Sequence, residues 1–431
     1  LRAEARVSRA YHHFLLVSLF TDMFDLPNIG TNPGIPYVTE PEDIVFKQYE
    51  RGTIEGTLEN IEKDLFEELD NLPSSSSYAV PKFRFTRDAG YAFAVRYYLF
   101  MRDYDKVIEY ADKLLPNAAK FENIGTNTFD GSPKQYVAAD DVAYEYYRRV
   151  LFNMPAYKTI GSRDIYQPGI YYSNPENSSY LLTSEVESIT MRAFLGTLLV
   201  NYAYDKNALI GISSTNPTGG QWAMPMVAFG NDPTAFMVKF YEDMLLVNES
   251  AGIGYVHLKV NLFRLEEVLL ARAEAKALTG DFQGAIDDIN MYIPSKLDSY
   301  KTAHRLNKDM IIKYYTEKAG EANAFVNQYE NEKNGYWNGY TGQNLTMLKS
   351  LMLTIVDLRR AEFLYEGMRY FDILRWNIQI SHTDNVTNIT KTLHPGDHNR
   401  ILQIPESASL NGLELNPMTN ITERWDNVIY Q

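Results

Sequence analysis

An all-α fold with large irregular insertions is what this sequence predicts, and three observations carry the expectation. Apolar residues recur at three- and four-residue spacing over long stretches, the mark of helices that bury one face. One two-helix pattern occurs twice, 178 residues apart. The segments between are rich in Gly, Pro, Asn, Ser and Tyr, which suits loops carried on a helical scaffold.

The elements follow in order. Ala3, Val7, Ala10, Phe14 and Val17 form one helical stripe that already includes the start of the chain. No cap, initiator Met or signal-peptide n-region precedes it, so further chain before residue 1 is expected. A second helix is expected from about Thr53 to Leu72, stopped by Pro73 and the Ser74 to Ser77 run. From Asp88 to Leu115 two helices meet at Arg102-Asp103. Ala92, Val95 and Leu99 mark the first; Tyr104, Val107, Ile108, Ala111, Leu114 and Leu115 mark the second. The later copy aligns Leu270, Ala273 and Ala277 with the first stripe and Asp281 with Asp103. Phe282, Ala285, Ile286, Ile289, Tyr292 and Ile293 align with the second.

Small residues at a close helix crossing, then an acidic turn and an aromatic, resemble the tetratricopeptide hairpin. Such hairpins bury their faces by stacking on one another. Residues 1–115 therefore read as helical pairs, and 116–254 as a loop-rich insertion with one helix near Glu185 to Tyr202. Residues 255–380 read as helical pairs ending near Leu348 to Arg375, and 381–431 as C-terminal loops with a short strand at Ile401 to Ile404. The whole of 1–431 is expected as a single domain.

Composition narrows the function. With 41 Lys+Arg against 55 Asp+Glu, the net charge is −14, and no basic patch offers a seat for nucleic acid. The absence of Cys excludes disulfides, thiolate metal sites and cysteine nucleophiles. No stretch approaches the ~20 apolar residues of a membrane span. Phosphate loops, G-x-S-x-G elbows and complete G-x-G-x-x-G runs are absent from the sequence. His12 and His13 are neighbours on a helix and diverge, while Pro395 and Gly396 break any helix between His394 and His398. No metal or other cofactor is expected. Acid pairs such as Asp140-Asp141 and Glu266-Glu267 read as solvated acids rather than a glycosidase pair. Arg359/Glu362, Glu366/Arg369, Arg369/Asp372 and Asp372/Arg375 read as a structural ladder of i,i+3 pairs on one helix, with Gly367 allowing close helix approach and Trp376 closing the core.

These residues resemble a known family. Ala3-Glu4-Ala5-Arg6 with Arg9-Ala10-Tyr11 and Phe14 is similar to a signature helix of the SusD/RagB outer-membrane nutrient-binding lipoproteins of Bacteroidetes. Glu266, Leu269, Ala273-Glu274-Ala275, Gly280-Asp281 and Asn290 resemble their second signature. Arg359, Glu362, Glu366-Gly367-Met368-Arg369, Phe371-Asp372 and Arg375-Trp376 resemble a third, and Ile404-Pro405 and Asn416-Pro417 resemble closing elements. Gln403 stands where the family has a first proline, and Ala361 and Phe363 depart from the usual residues around Glu362.

The resemblance implies a right-handed superhelical scaffold of tetratricopeptide-like pairs and non-catalytic capture of an oligosaccharide or, in some members, a peptide. It implies a TonB-dependent β-barrel transporter as partner, an N-terminal lipid anchor outside this chain, and a place on the extracellular face of the outer membrane. A tetratricopeptide scaffold that binds only proteins is the other class the helix pairs suggest.

Binding residues are sought among the 32 Tyr and 4 Trp. Sugar rings present C–H faces that stack on aromatic planes, with hydroxyls bonded by amides and acids. Gly219-Gly220-Gln221-Trp222 and Asn334-Gly335-Tyr336-Trp337-Asn338-Gly339-Tyr340 place aromatics in polar, glycine-rich loops. The expected ligand contacts are Trp222, Tyr336, Trp337, Asn338 and Tyr340, with Tyr171 and Tyr172 beside them.

Overall fold

The structure, a computed structural model of the chain, describes residues 1–41, 47–115, 151–152, 154–161, 167–177, 179–187, 204–205, 214, 216–224, 227–228, 234–236, 239–240, 242–317, 339–383, 387–394 and 396–417. Two compact units emerge. One holds Leu1–Leu72 and the chain from Met368 onward; the other holds Pro73–Gly320 and Gly339–Gly367.

In chain order the elements are α1 (Arg2–Phe20), α2 (Ile54–Phe66), α3 (Arg87–Met101), α4 (Tyr104–Asp112), α5 (Met154–Gly161) and α6 (Gln167–Tyr172). Strands β1 (Tyr180–Glu187), β2 (Tyr204–Asp205), β3 (Val227–Ala228), β4 (Thr234–Phe236), β5 (Glu242–Asn248) and β6 (Ile253–Arg264) follow. Then come α7 (Leu265–Leu278), α8 (Phe282–Tyr292), α9 (Lys308–Glu317), α10 (Gly342–Glu362) and α11 (Met368–Arg375), the hairpin β7 (Ile380–Thr383) and β8 (Thr390–Leu393), and α12 (Glu406–Ser409). Helix pairs with irregular insertions are thus the fold, as the sequence leads one to expect.

In the first unit α1 packs on α2. Thr53 caps α2 by accepting from the Gly56 N–H at 3.1 Å. Val7, Ala10, Phe14 and Val17 of α1 are buried, as are Ile54, Leu58, Ile61 and Leu65 of α2. The polar residues between the stripes are also used. Asp64 of α2 accepts from Arg6 Nε at 2.8 Å, Arg9 Nε at 2.6 Å and the Tyr37 hydroxyl at 2.7 Å. The signature arginines of α1 therefore hold α2 by charge.

In the second unit the repeat is realised. Both hairpins start their second helix with an aspartate cap: Asp103 accepts from Lys106 N–H at 3.2 Å and Asp281 from Gly284 N–H at 2.9 Å. The residue before each cap is left-handed, Arg102 at φ 60° and Gly280 at φ 93°. Hairpin α7–α8 lies against α3–α4 through α7, and α7 packs on α10 as well. Ala273, Ala275 and Ala277 of α7 are buried.

The sequence misplaces several elements. Residues 253–264 form β6, the centre of an antiparallel three-stranded sheet in the order β1-β6-β5, not a helical start. Glu185 belongs to β1 rather than a helix; residues 188–202 of that expected helix lie outside the described residues. Residues 401–404 pair with no strand among the described residues. Gln403 and Asn416 take the hydrogen bonds a neighbouring strand would make, Gln403 Oε1 accepting from the Asn416 N–H at 2.8 Å and Asn416 Nδ2 donating to the Leu402 carbonyl at 2.8 Å. The regular pairing near the C-terminus is instead β7 with β8.

The charged ladder at 359–375 is not one helix face either. The chain leaves α10 after Glu362 and turns through Tyr365 at φ 69° and Gly367 at φ 79° before α11. A Cβ at Gly367 would meet nothing within 4 Å, so its role is the left-handed turn and not close helix approach. Of the expected pairs, Asp372 with Arg375 at 2.9 Å forms as read, and Trp376 is fully buried beneath Arg375.

Glu362 and Glu366 reach other elements instead. Glu362 accepts from Arg264 Nη1 at 2.8 Å and the Tyr292 hydroxyl at 2.6 Å, with Lys296 Nζ at 3.2 Å. Glu366 accepts from Lys239 Nζ at 2.6 Å and Arg264 Nη2 at 2.9 Å. Glu266 joins through Lys296 at 3.1 Å, and neighbouring Glu267 pairs with Arg96 at 2.6 Å. The pair Glu266-Glu267 is therefore buried and salt-bridged, contrary to the solvated reading.

Burial alone would raise the Asp64 and Glu362 carboxyls. Hydrogen bonds from Arg9, Tyr37 and Arg6 outweigh it at Asp64, holding its pKa at about 2. Lys296, Arg264 and Lys239 with Tyr292 do so at Glu362, again to about 2. Groups held below their ordinary values favour the fold when ionised. Their contribution is complete above about pH 4.5 and disappears as pH falls through about 2. Urea unfolding at pH 7, 5.5 and 2.5 is expected to give a midpoint unchanged between the first two and clearly lower at the third. A midpoint insensitive to pH down to 2.5 would show these carboxylates to be energetically idle.

Candidate ligand-binding surface

Three of the seven expected ligand residues converge in the second unit, though not as an open aromatic shelf. Trp222 is 2% exposed. A β-bridge to Leu297 and the Ala223 N–H bond to the Lys296 carbonyl at 2.9 Å draw its loop inward, so the indole lies on Tyr292 at 6.0 Å between centroids. Its loop is polar and glycine-rich, but the ring is core. Tyr172 is also buried, with Lys239 Nζ 5.3 Å above its ring. Burial pushes its hydroxyl well above the usual tyrosine range. Both rings insulate the buried ion cluster around Glu362.

Tyr171 is different. It is half-buried, stacks on Tyr157 at 6.4 Å and 21°, and tilts over Phe152 at 5.3 Å. Phe152 in turn donates its N–H to Glu266 and gives its carbonyl to Lys296 Nζ. Tyr340 contacts another element: its hydroxyl donates to the Leu278 carbonyl at 3.1 Å and its ring meets Phe282 at 6.0 Å, pinning the α7–α8 turn. Tyr336, Trp337 and Asn338 lie outside the described residues.

The aromatic floor carries a polar rim that sequence reasoning did not select. Lys158, next to Tyr157 on α5, pairs with Asp298 at 2.6 Å with both side chains partly exposed. Asp298 donates its N–H to the Gln221 carbonyl at 2.9 Å, and the Gln221 side chain is exposed. Gly220 sits against Leu297 and His304, where a Cβ would come within 2.9 Å of Leu297. Tyr300 and His304 meet edge to face at 6.1 Å, both half-buried.

Burial and nearby Lys301 lower the His304 pKa, which favours the neutral ring. Its Nδ1 accepts from the Lys301 N–H at 3.1 Å, so Nε2 carries the proton and is the donor. An amide (Gln221), an ion pair (Lys158–Asp298), a ring (Tyr300) and a neutral imidazole (His304) thus lie close together along one chain of contacts, with the Tyr171 ring stacked on Tyr157 of the helix that carries Lys158. This is the repertoire that binds polyhydroxylated ligands by stacking and hydrogen bonding. The only advance signal was adjacency to Trp222 in the case of Gln221. Among the described residues no three His, Asp or Glu are grouped to hold a metal ion, and no helix is long and apolar enough to cross a membrane.

Residues 1–99 match the SusD-like family described as starch-binding and associating with the outer membrane. No curated protein matches the sequence. Among solved structures, a SusD superfamily protein from Bacteroides fragilis is 16% identical with a TM-score of 0.56, over 95% of this chain and 74% of its own. One from Bacteroides thetaiotaomicron is 17% identical with a TM-score of 0.53, over 96% and 77%. A laminarin-binding SusD-like protein is 17% identical with a TM-score of 0.51, over 96% and 78%. The chain thus carries the SusD-like sequence pattern over residues 1–99 and adopts the fold of the SusD superfamily.

Proposed function

We propose that the protein captures an extracellular oligosaccharide without chemical turnover. In this reading it sits on the outer face of the outer membrane, held by a lipid anchor, and passes its cargo to a TonB-dependent β-barrel transporter. The observation that carries the reading is the match of residues 1–99 to a starch-binding, outer-membrane-associating family. The rim of Tyr171, Gln221, Tyr300 and His304 supports it with chemistry suited to pyranose rings. Tyr336, Trp337 and Asn338 belong to the proposed contacts on their sequence, and Trp222, Tyr172 and Tyr340 act as supports.

Calorimetric titration with laminarin, maltooligosaccharides and a peptide pool tests this. Heat is expected with at least one glycan. Tyr171→Ala is expected to weaken that binding about three- to tenfold, the loss of one stacking ring. Heat from peptides alone would replace the glycan by a peptide. Binding indifferent to Tyr171, Gln221 and Trp337 substitutions would move the site elsewhere.

A further inference from the structure

The β5–β6 hairpin carries an exposed apolar face that no described residue covers. Leu245 lies directly opposite Tyr255, and Ile253, two residues before Tyr255, shares its face. Val247 flanks them at the register shift between Leu246 and Asn248. These four residues are 60%, 55%, 60% and 65% exposed in that order. Together they present on the order of 500 Å², as much as the largest apolar patch of an ordinary monomer.

Nearer the base the same face turns polar. Asp243 and Lys259 approach to 3.8 Å, and Glu185 stands opposite Lys259 across β1 and β6. An apolar centre with a polar rim is the anatomy of a protein–protein contact.

We propose that this face joins two copies of the chain, the Leu245–Tyr255 surface of one hairpin packing on that of the other about a two-fold axis. Two such patches would bury about 1,000 Å², the threshold of a specific but weak interface. The rim suits a second copy because it carries both signs, Lys259 standing between Asp243 and Glu185, so the cation of one copy can meet the acids of the other. Lipid fits less well: the hairpin turn begins with Glu249, and an acid at the tip opposes insertion. The net charge of −14 opposes close approach of two copies at low salt, and salt screens it. A dimer built on this face therefore strengthens as ionic strength rises.

Sedimentation velocity over a concentration series from about 1 to 200 μM, in 20 and 300 mM NaCl, decides the matter. The expected result is a monomer–dimer equilibrium with a micromolar midpoint, shifted towards dimer at the higher salt. Leu245→Asp should weaken it at least tenfold with an unchanged circular dichroism spectrum, since the position is exposed. Leu410→Asp, at a still more exposed leucine of the first unit, should leave it intact. A protein monomeric throughout the series overturns the proposal, as does wild-type dimerisation of the Leu245→Asp variant. A monomer that instead co-sediments with phosphatidylethanolamine–phosphatidylglycerol vesicles overturns it too and assigns the face to lipid.

Discussion

Replacing Glu362 by alanine is expected to cost about 3–5 kcal/mol of stability, because it strips the shared anion from a fully buried cluster of cations. Arg264, Lys239 and Lys296 are each 2% exposed or less. Glu362 is the carboxylate that both Arg264 and Lys296 share with the Tyr292 hydroxyl. Without it three buried cations are left to share the two carboxylates of Glu266 and Glu366, and the Tyr292 hydroxyl loses its acceptor. In a unit of this size the loss corresponds to a fall in melting temperature on the order of 10 °C. Glu362→Gln, which keeps the shape and one acceptor oxygen, should fall between alanine and wild type. The combined replacement of Glu362 and Arg264 by Leu and Met should recover part of the loss, since removing both partners costs less than removing one. A melting temperature for Glu362→Ala within about 2 °C of wild type would mean that the cluster is not what fixes these elements.

Trp222→Ala should be the next most damaging change, at about 3–5 kcal/mol, the usual cost of emptying an aromatic site in a core. The indole Nε1 is buried without a hydrogen-bond partner among the described residues. Trp222→Phe therefore loses little polar interaction and should cost well under half as much. Guanidinium unfolding of the two variants, run beside glycan titrations at a temperature where both remain folded, separates support from contact. Stability lost with affinity kept is the expected pattern, the reverse of that for Tyr171→Ala. Full stability with abolished binding would return Trp222 to the ligand face.

The features legible in the sequence were local ones. Both aspartate caps, both hairpin turns and both buried stripes lie within one element or two adjacent ones, so periodicity and turn chemistry report them. The β6 strand was missed, although its period of two is there: Val256, Leu258, Val260 and Leu262 alternate with Tyr255, His257, Lys259 and Asn261. What periodicity could not report is pairing at a distance. Glu362 looked like a partner for Arg359 three residues away, yet its cation is 98 residues away in the chain. Nor does a Gly-Gly-Gln-Trp run reveal whether its ring turns out or in; the backbone bridge to Leu297 decides that. The site rim escaped for the same reason, since Lys158 and Asp298 become neighbours across 140 residues.

The buried ion cluster also sets an order of events along the folding path. Its members come from positions 239, 264, 266, 296, 362 and 366, with hydrogen bonds spanning up to 127 residues. Closing such wide loops costs chain entropy before any contact repays it, and contacts of long sequence separation slow folding. The α3–α4 and α7–α8 hairpins close over a few residues each and can form first. Until Lys239, Arg264 and Lys296 meet their carboxylates, each charge keeps its water, and the docked arrangement has no dry centre. The step that shuts out that water is therefore expected to come late, and ionic strength should register in the refolding rate of the second unit before it registers in its final stability.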